Sequence, residues 1–317
     1  MALHHENTAS MNRADMIFDL SSIWATVKEV FPYFDRLPFD WDEQYRTYLD
    51  KILQVSVPQD FHSLLTEFMA SLNDGHTKYI PPDAYRTAKP FIRPAEPFCK
   101  MNDGVLTIKF NDFLRNYAPY VKKQLETMPD ISLVRLDIRD NIGGNTYHAA
   151  KVAELFISGV FQSCQKWTQI RNAVDTAGAS QIVRYSEERI QQYIKDGLLT
   201  EESVADAKSI KNHTKYEQYI SSHGAENQSA IYDGPLQILI SRNTMSAAED
   251  FAAMFKSNHR GVLIGEPTSG STGTPCMISL RCGGRAQVVS VGYRLIDGTE
   301  CIGKGIMPDI ETDVASL

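Results

Sequence analysis

From Asp15 to Phe31, apolar side chains recur at three- and four-residue intervals at Ile17, Leu20, Trp24, Val27 and Phe31. That spacing is the stripe of an amphipathic helix, and Pro32 ends it. A second stripe runs Trp41, Tyr45, Tyr48, Leu49 and Ile52 after Asp40. A third runs Phe61, Leu64, Leu65, Phe68 and Leu72 after Pro58, with Asp60 in its first turn. Three helices followed by the loop Asp74-Gly75-His76-Thr77 predict a helical N-terminal subdomain over residues 1–82, closing at Ile80-Pro81-Pro82.

Beyond residue 82 the pattern changes to short β-branched apolar runs bounded by Gly, Pro or Asp. They are Val105 to Phe110, Leu133 to Ile138, Leu236 to Ile240, Val262 to Ile264 and Gln287 to Val291. Helical patterns lie between them at Tyr117 to Met128, Tyr147 to Ile157 and Ala247 to Lys256. Strands alternating with helices predict an α/β core over residues 83–317. The more polar stretch 162–227 reads as a mostly helical insertion, with Thr200-Glu201-Glu202 as a start signal. A lid, a homo-oligomer contact and a plain solvated excursion are all open for it. No internal repeat or low-complexity segment is present.

Composition narrows the function classes. The chain has 317 residues, 43% hydrophobic and 22% charged, an ordinary globular balance. Its 32 basic and 39 acidic residues leave a net charge of -7, which offers no basic stripe for nucleic acid or an anionic membrane surface. No apolar run approaches a membrane span and the first fifteen residues lack the apolar core of a signal peptide, so a cytoplasmic location is expected. The five cysteines form no C-x-x-C pair, which fits a reducing compartment and not a zinc ribbon or a disulfide framework. The histidines lack H-x-x-x-H or H-E-x-x-H spacing, so neither a metal nor another cofactor is expected.

Three segments could carry chemistry. In Asn73-Asp74-Gly75-His76-Thr77 a histidine follows a glycine turn, although an isolated histidine is more often structural. In Leu136 to Gly144 an apolar strand runs into a turn ending in Gly143-Gly144. Glycines there permit close backbone approach, and their N–H groups could donate to a developing oxyanion; a turn needing glycine only for its φ angles explains them equally well. In Gly234 to Glu249 a strand and short turn lead to Ser246 at the threshold of a helix. The positive end of the helix dipole suits a nucleophile whose attack creates negative charge. Ser246-Ala247-Ala248-Glu249 is also a capping box, and from this segment alone the cap is the better reading.

Taken together and in order, these segments resemble the tail-specific or C-terminal processing peptidase family, which includes the tricorn protease core and interphotoreceptor retinoid-binding protein. The resemblance covers most of the chain, through FPYFDRLPFDWDEQY, LNDGHT, LDIRDNIGG, ILISRNTMSAAEDFAAMFK, IGEPTSG and IDGTECIGKGIMPDI. It implies a crotonase/ClpP-like α/β core and a serine peptidase acting on peptides or unfolded proteins through an acyl-enzyme. Ser246 would be the nucleophile, with the N–H groups of Ala247 and of Gly143 or Gly144 as the oxyanion hole. The family's serine-lysine branch places its lysine where this chain has Ser271, so the resemblance favours the tricorn-like branch with His76 as general base. A neutral imidazole, with an ordinary pKa near 6.5, suits that task. The third member would be a carboxylate from the strand before the closing motif. The family often has Glu where Ile302 stands; Glu300, two residues earlier on the same side of such a strand, is the candidate, with Asp297 behind it.

Many relatives carry a PDZ domain between the histidine element and the core. Here only the proline-rich link Pro81 to Pro97 separates them, too short for a domain. Two alternatives stay open: a non-catalytic binding protein for apolar ligands on the same fold, and a hydrolase for small esters or amides.

Overall fold

The computed structural model describes residues 12–82, 97–169, 182–211 and 216–313. In chain order the first elements are helices α1 (Arg13–Val30), α2 (Trp41–Ile52) and α3 (Pro58–Ala70), then strands β1 (Lys78–Ile80), β2 (Phe98–Asn102) and β3 (Val105–Lys109). Next come α4 (Ala118–Thr127), β4 (Leu133–Asp137), α5 (Thr146–Ala153), β5 (Phe161–Gln169), α6 (Glu187–Lys195), α7 (Glu201–Lys211) and β6 (Tyr216–His223). The chain continues with β7 (Leu236–Ile240), α8 (Ala247–Ser257), β8 (Val262–Gly265), β9 (Pro275–Ser279), β10 (Arg285–Val289), β11 (Gly292–Leu295) and β12 (Ile310–Glu311). No helix among the described residues is long and apolar enough to cross a membrane.

These elements form two compact units. The first joins residues 1–89, 168–217 and 274–291, and the second joins 90–167, 218–273 and 292–317. The segment 162–227, expected to be mostly helical, holds α6 and α7 between the strands β5 and β6.

In the first unit the three N-terminal helices start where their caps dictate. Asn12 Oδ1 accepts the Asp15 N–H at 2.8 Å, Asp40 Oδ1 accepts those of Asp42 and Glu43, and Pro58 opens α3. The buried face of α1 is Met16, Leu20, Ile23 and Val27; Ile17 and Trp24, expected inward, are only half-buried. The Trp24 indole instead donates to Asp42 at 2.8 Å. Trp41 stacks on Phe68 with ring centres 4.4 Å apart, which locks α2 onto α3. β1, β10 and β9 form an antiparallel sheet in that order. The β9–β10 turn is held by the fully buried Asp19 of α1, whose two oxygens accept the N–H groups of Arg281 and Cys282 at 2.8 and 2.9 Å.

The second unit is built on a six-stranded sheet ordered β12-β8-β7-β4-β3-β2, parallel except for the β2–β3 hairpin. That hairpin turns on Asp103-Gly104, with φ of 48° and 79°, as a tight two-residue turn requires. Leu106, Ile108, Val134, Leu136, Ile238 and Ile240 are buried from the sheet in one core with Val121 of α4, Ala149 and Val152 of α5, and Phe251, Ala252 and Phe255 of α8. A smaller sheet ordered β11-β5-β6 adds Phe161, Cys164, Tyr293 and Leu295 to that core. The α/β architecture expected from the strand–helix alternation is the one observed.

Candidate active site

β4, β7 and β8 are parallel neighbours, so the segments that follow them leave the sheet on the same edge, where α/β proteins place their sites. After β7, Thr244 anchors the turn: its Oγ1 donates to Ile138 O at 2.8 Å and accepts the Ser241 N–H at 3.0 Å. Ser246 then adopts φ 57°, ψ -130°, a conformation that L-residues with a side chain occupy only when their surroundings enforce it. Its N–H donates to Ser271 O at 2.8 Å, and its C=O accepts the Glu249 and Asp250 N–H groups at 2.8 and 3.2 Å.

The capping-box reading does not hold. The Ser246 hydroxyl makes no capping hydrogen bond. Glu249, 1% exposed, is turned elsewhere: its carboxyl accepts the Thr268 hydroxyl at 2.5 Å and the N–H groups of Gly270 and Ser271 at 2.8 Å each. Burial pushes its pKa up to about 7 against the opposing pull of those three donors. Through Ser271, whose carbonyl takes the Ser246 N–H, Glu249 braces the loop after β8 behind the serine.

After β4 comes the glycine pair. A side chain on Gly143, at φ 93°, would meet Ser246 Cβ at 2.5 Å and the Ala247 nitrogen at 2.9 Å. One on Gly144, at φ 141°, would strike the Phe113 backbone at 2.6 Å. Both positions therefore require glycine for contact as well as for φ. The Gly143 N–H is bonded to Asn141 Oδ1 at 2.9 Å, and its C=O accepts the Phe113 N–H at 2.8 Å. In a trans peptide the N–H points opposite to the C=O. The Gly144 N–H therefore faces away from Phe113, and like that of Ala247 it has no acceptor among the described residues.

His76 lies in the first unit on a turn shaped by Asp74, whose Oδ1 accepts the His76 N–H at 2.9 Å, while Gln287 Nε2 donates to His76 O at 2.7 Å. Desolvation raises the Asp74 pKa. Glu300 belongs to the second unit and is half-buried, but it is not on a strand: β11 ends at Leu295 and residues 296–304 run through turns. The Asp297 side chain shapes the first of these by accepting the Thr299 N–H at 2.8 Å. The alternation argument that placed Glu300 and Ile302 on one strand side therefore has no strand to act on. Of the residues expected at the site, the second unit brings together Ser246, Ala247, Gly143 and Gly144.

Two lysines of this unit are engaged elsewhere. Lys256 donates to Met307 O and Asp309 at 2.9 and 2.8 Å. Lys166 sits 3.6 Å from Asp250; burial opposes its charge, but Asp250, Cys164 and Tyr219 together outweigh it and raise the pKa. Such a lysine stays protonated at neutral pH and is a poor base.

A strained serine between a β-strand and a helix, at the carboxyl ends of parallel strands and near N–H groups without an acceptor among the described residues, is an arrangement in which a serine can serve as a nucleophile. The model of peptidase family S41 matches residues 104–312, two thirds of the chain, and the chain belongs to that family. It is 23% identical over 205 residues to carboxyl-terminal-processing peptidase 2, chloroplastic, of Arabidopsis thaliana, a match covering 64% of this chain and 30% of that one. The fold is shared with mature CPAF (TM-score 0.65, 9% identity, 94% of this chain and 92% of that one). It is shared also with the photosystem II D1 C-terminal processing protease (TM-score 0.58, 14% identity, 95% and 93%).

Glu249 and Asn141 are the two contributors that sequence reasoning did not assign. Glu249 carried a signal, a carboxylate three residues after the serine, but it pointed to a cap. Asn141 lay inside the quoted Asp140-Asn141-Ile142-Gly143, an Asn two residues before a glycine, which is the spacing of an Asx turn.

Proposed function

We propose that this chain hydrolyses peptide bonds of peptides or unfolded proteins, with Ser246 as nucleophile and the Ala247 and Gly144 N–H groups as oxyanion donors. The observation that carries this is the strained backbone of Ser246, together with two nearby N–H groups that have no acceptor among the described residues. On the family's motif order, His76 is the general base and Glu300 the carboxylate that orients it. Ser246 Oγ forms a bond to the carbonyl carbon while its proton passes to the imidazole, and the carbonyl π electrons move onto the oxygen. Collapse expels the amine, which takes the proton from His76, and leaves an acyl-enzyme. Water, deprotonated by the same imidazole, repeats the addition and releases the acid. The engaged Lys256 and the charged Lys166 support a histidine base over a lysine. The five cysteines are all free, which supports a reducing compartment such as the cytoplasm.

Wild type should be labelled by a serine-directed fluorophosphonate and cleave unfolded casein, and Ser246→Ala should do neither. Equal cleavage by both proteins overturns the proposal. Turnover of acyl esters with casein left intact would move the reading to a small-ester hydrolase. His76→Ala should lose turnover as Ser246→Ala does, whereas Lys256→Ala should keep it. An active His76→Ala would exclude the histidine base.

A further inference from the structure

Asn141 is fully buried and fastens the two chain segments that meet at Ser246. Its side-chain Oδ1 accepts the Gly143 N–H at 2.9 Å, closing an Asx turn over the glycine pair. Its main-chain carbonyl accepts the N–H of Met245, the residue before Ser246, at 3.1 Å, and its own N–H donates to Ile138 O at 3.0 Å. Its Nδ2 is buried with no hydrogen-bond partner among the described residues. A buried donor left unsatisfied is destabilising. Aspartate would supply the same turn-forming oxygen, but at this fully buried position it would carry either an unpaired charge or an orphan O–H of its own. A carboxylate here would also oppose the negative charge that develops on the substrate oxygen at the Gly144 and Ala247 N–H groups, so burial and the reaction both call for a neutral oxygen.

We propose that Asn141 is a positioning residue for the oxyanion hole, one that closes the Gly143 turn with a neutral oxygen. With its N–H on Asn141 and its C=O on Phe113, Gly143 is fixed at both ends. The direction of the Gly144 N–H then follows from the planarity of the peptide. The inference rests on the reading of Ser246 as nucleophile. It distinguishes substitutions that a packing role would not: serine can close the same turn through its hydroxyl without a charge, aspartate closes it with a charge, and alanine cannot close it.

The test is the second-order rate of fluorophosphonate labelling, which needs no knowledge of the natural substrate, together with kcat and KM on a fluorogenic peptide found by library screening. Asn141→Ser should stay within about 10-fold of wild type. Asn141→Ala and Asn141→Asp should each lose about 100-fold or more in labelling rate and kcat, with KM changed less than about 3-fold. As pH falls, the ratio of Asn141→Asp to wild-type rate should rise, because protonation removes the charge. A folded Asn141→Ala with wild-type labelling overturns the proposal, as does an Asn141→Asp that labels at the wild-type rate at pH 8. Should Asn141→Ala fail to melt cooperatively, the comparison of the serine and aspartate variants decides alone. A Ser246→Ala protein that cleaves normally would instead sink the nucleophile assignment, a separate failure.

Discussion

Ser246, Gly143 and Glu249 show how much of this site is set by single residues under constraint. Gly143 has no room for a side chain, so Gly143→Ala should cost about 2 kcal/mol or more through strain and displacement of Ser246. Denaturant melts should show the loss of stability, and fluorophosphonate labelling should drop with it. Glu249 makes a pH-dependent prediction. Its folded-state pKa is raised to about 7 by burial, so the protonated form is favoured in the folded protein. Its contribution is then fully present below the ordinary Glu range and is lost as pH rises through about 7. Wild type should lose stability relative to Glu249→Gln between pH 5 and pH 8, by an amount on the order of 3 kcal/mol. A difference that stays constant over that interval would show that the three donors, not burial, govern the carboxyl.

The elements were legible where their periodicity was clean. The α2 and α3 stripes and the strands β3, β4, β7 and β8 lie within a residue or two of where the pattern puts them, because each buries one face or both in the core of its own unit. β5 and β6 were hidden: Ser163 and Lys166 of β5 are polar positions that face inward. Ser163 pairs with His223 at 3.1 Å and Lys166 with Asp250, long-range partners that no local window contains. Of the β9–β10 hairpin the pattern showed only the second strand, at Gln287 to Val291, and nothing near it in sequence identifies Asp19 as its anchor. Asp19→Ala should cost about 2–4 kcal/mol by leaving the Arg281 and Cys282 N–H groups without their carboxylate, and Asp19→Asn should recover part of that. Thermal melts of the two variants check the ordering.

At the scale of the whole molecule, each compact unit gathers three separate stretches of chain. β1 pairs with β10 across about two hundred residues of sequence, so removing residues 1–82 takes from the first unit three helices, the strand beside β10 and the anchor of its hairpin. A fragment of residues 83–317 should melt by circular dichroism with a smaller loss of helical signal than the full chain, because it keeps every residue of the second unit but lacks α1, α2 and α3 of the first. A sharp transition in that fragment would mean that the second unit is stable alone. The amino-acid sequence by itself determined the helix stripes, the α/β core, the glycine pair and a serine at a strand-to-helix turn, since each follows from local periodicity or from a residue's own conformational limits. Only the tertiary structure decided that Ser246 is strained rather than a helix cap, that Glu249 braces the neighbouring loop, and that Asn141 occupies the Gly143 N–H and leaves that of Gly144 open. Those outcomes depend on which hydrogen-bond partners the edges of β4, β7 and β8 bring together, and strand register fixes such partners across distances that no sequence window spans.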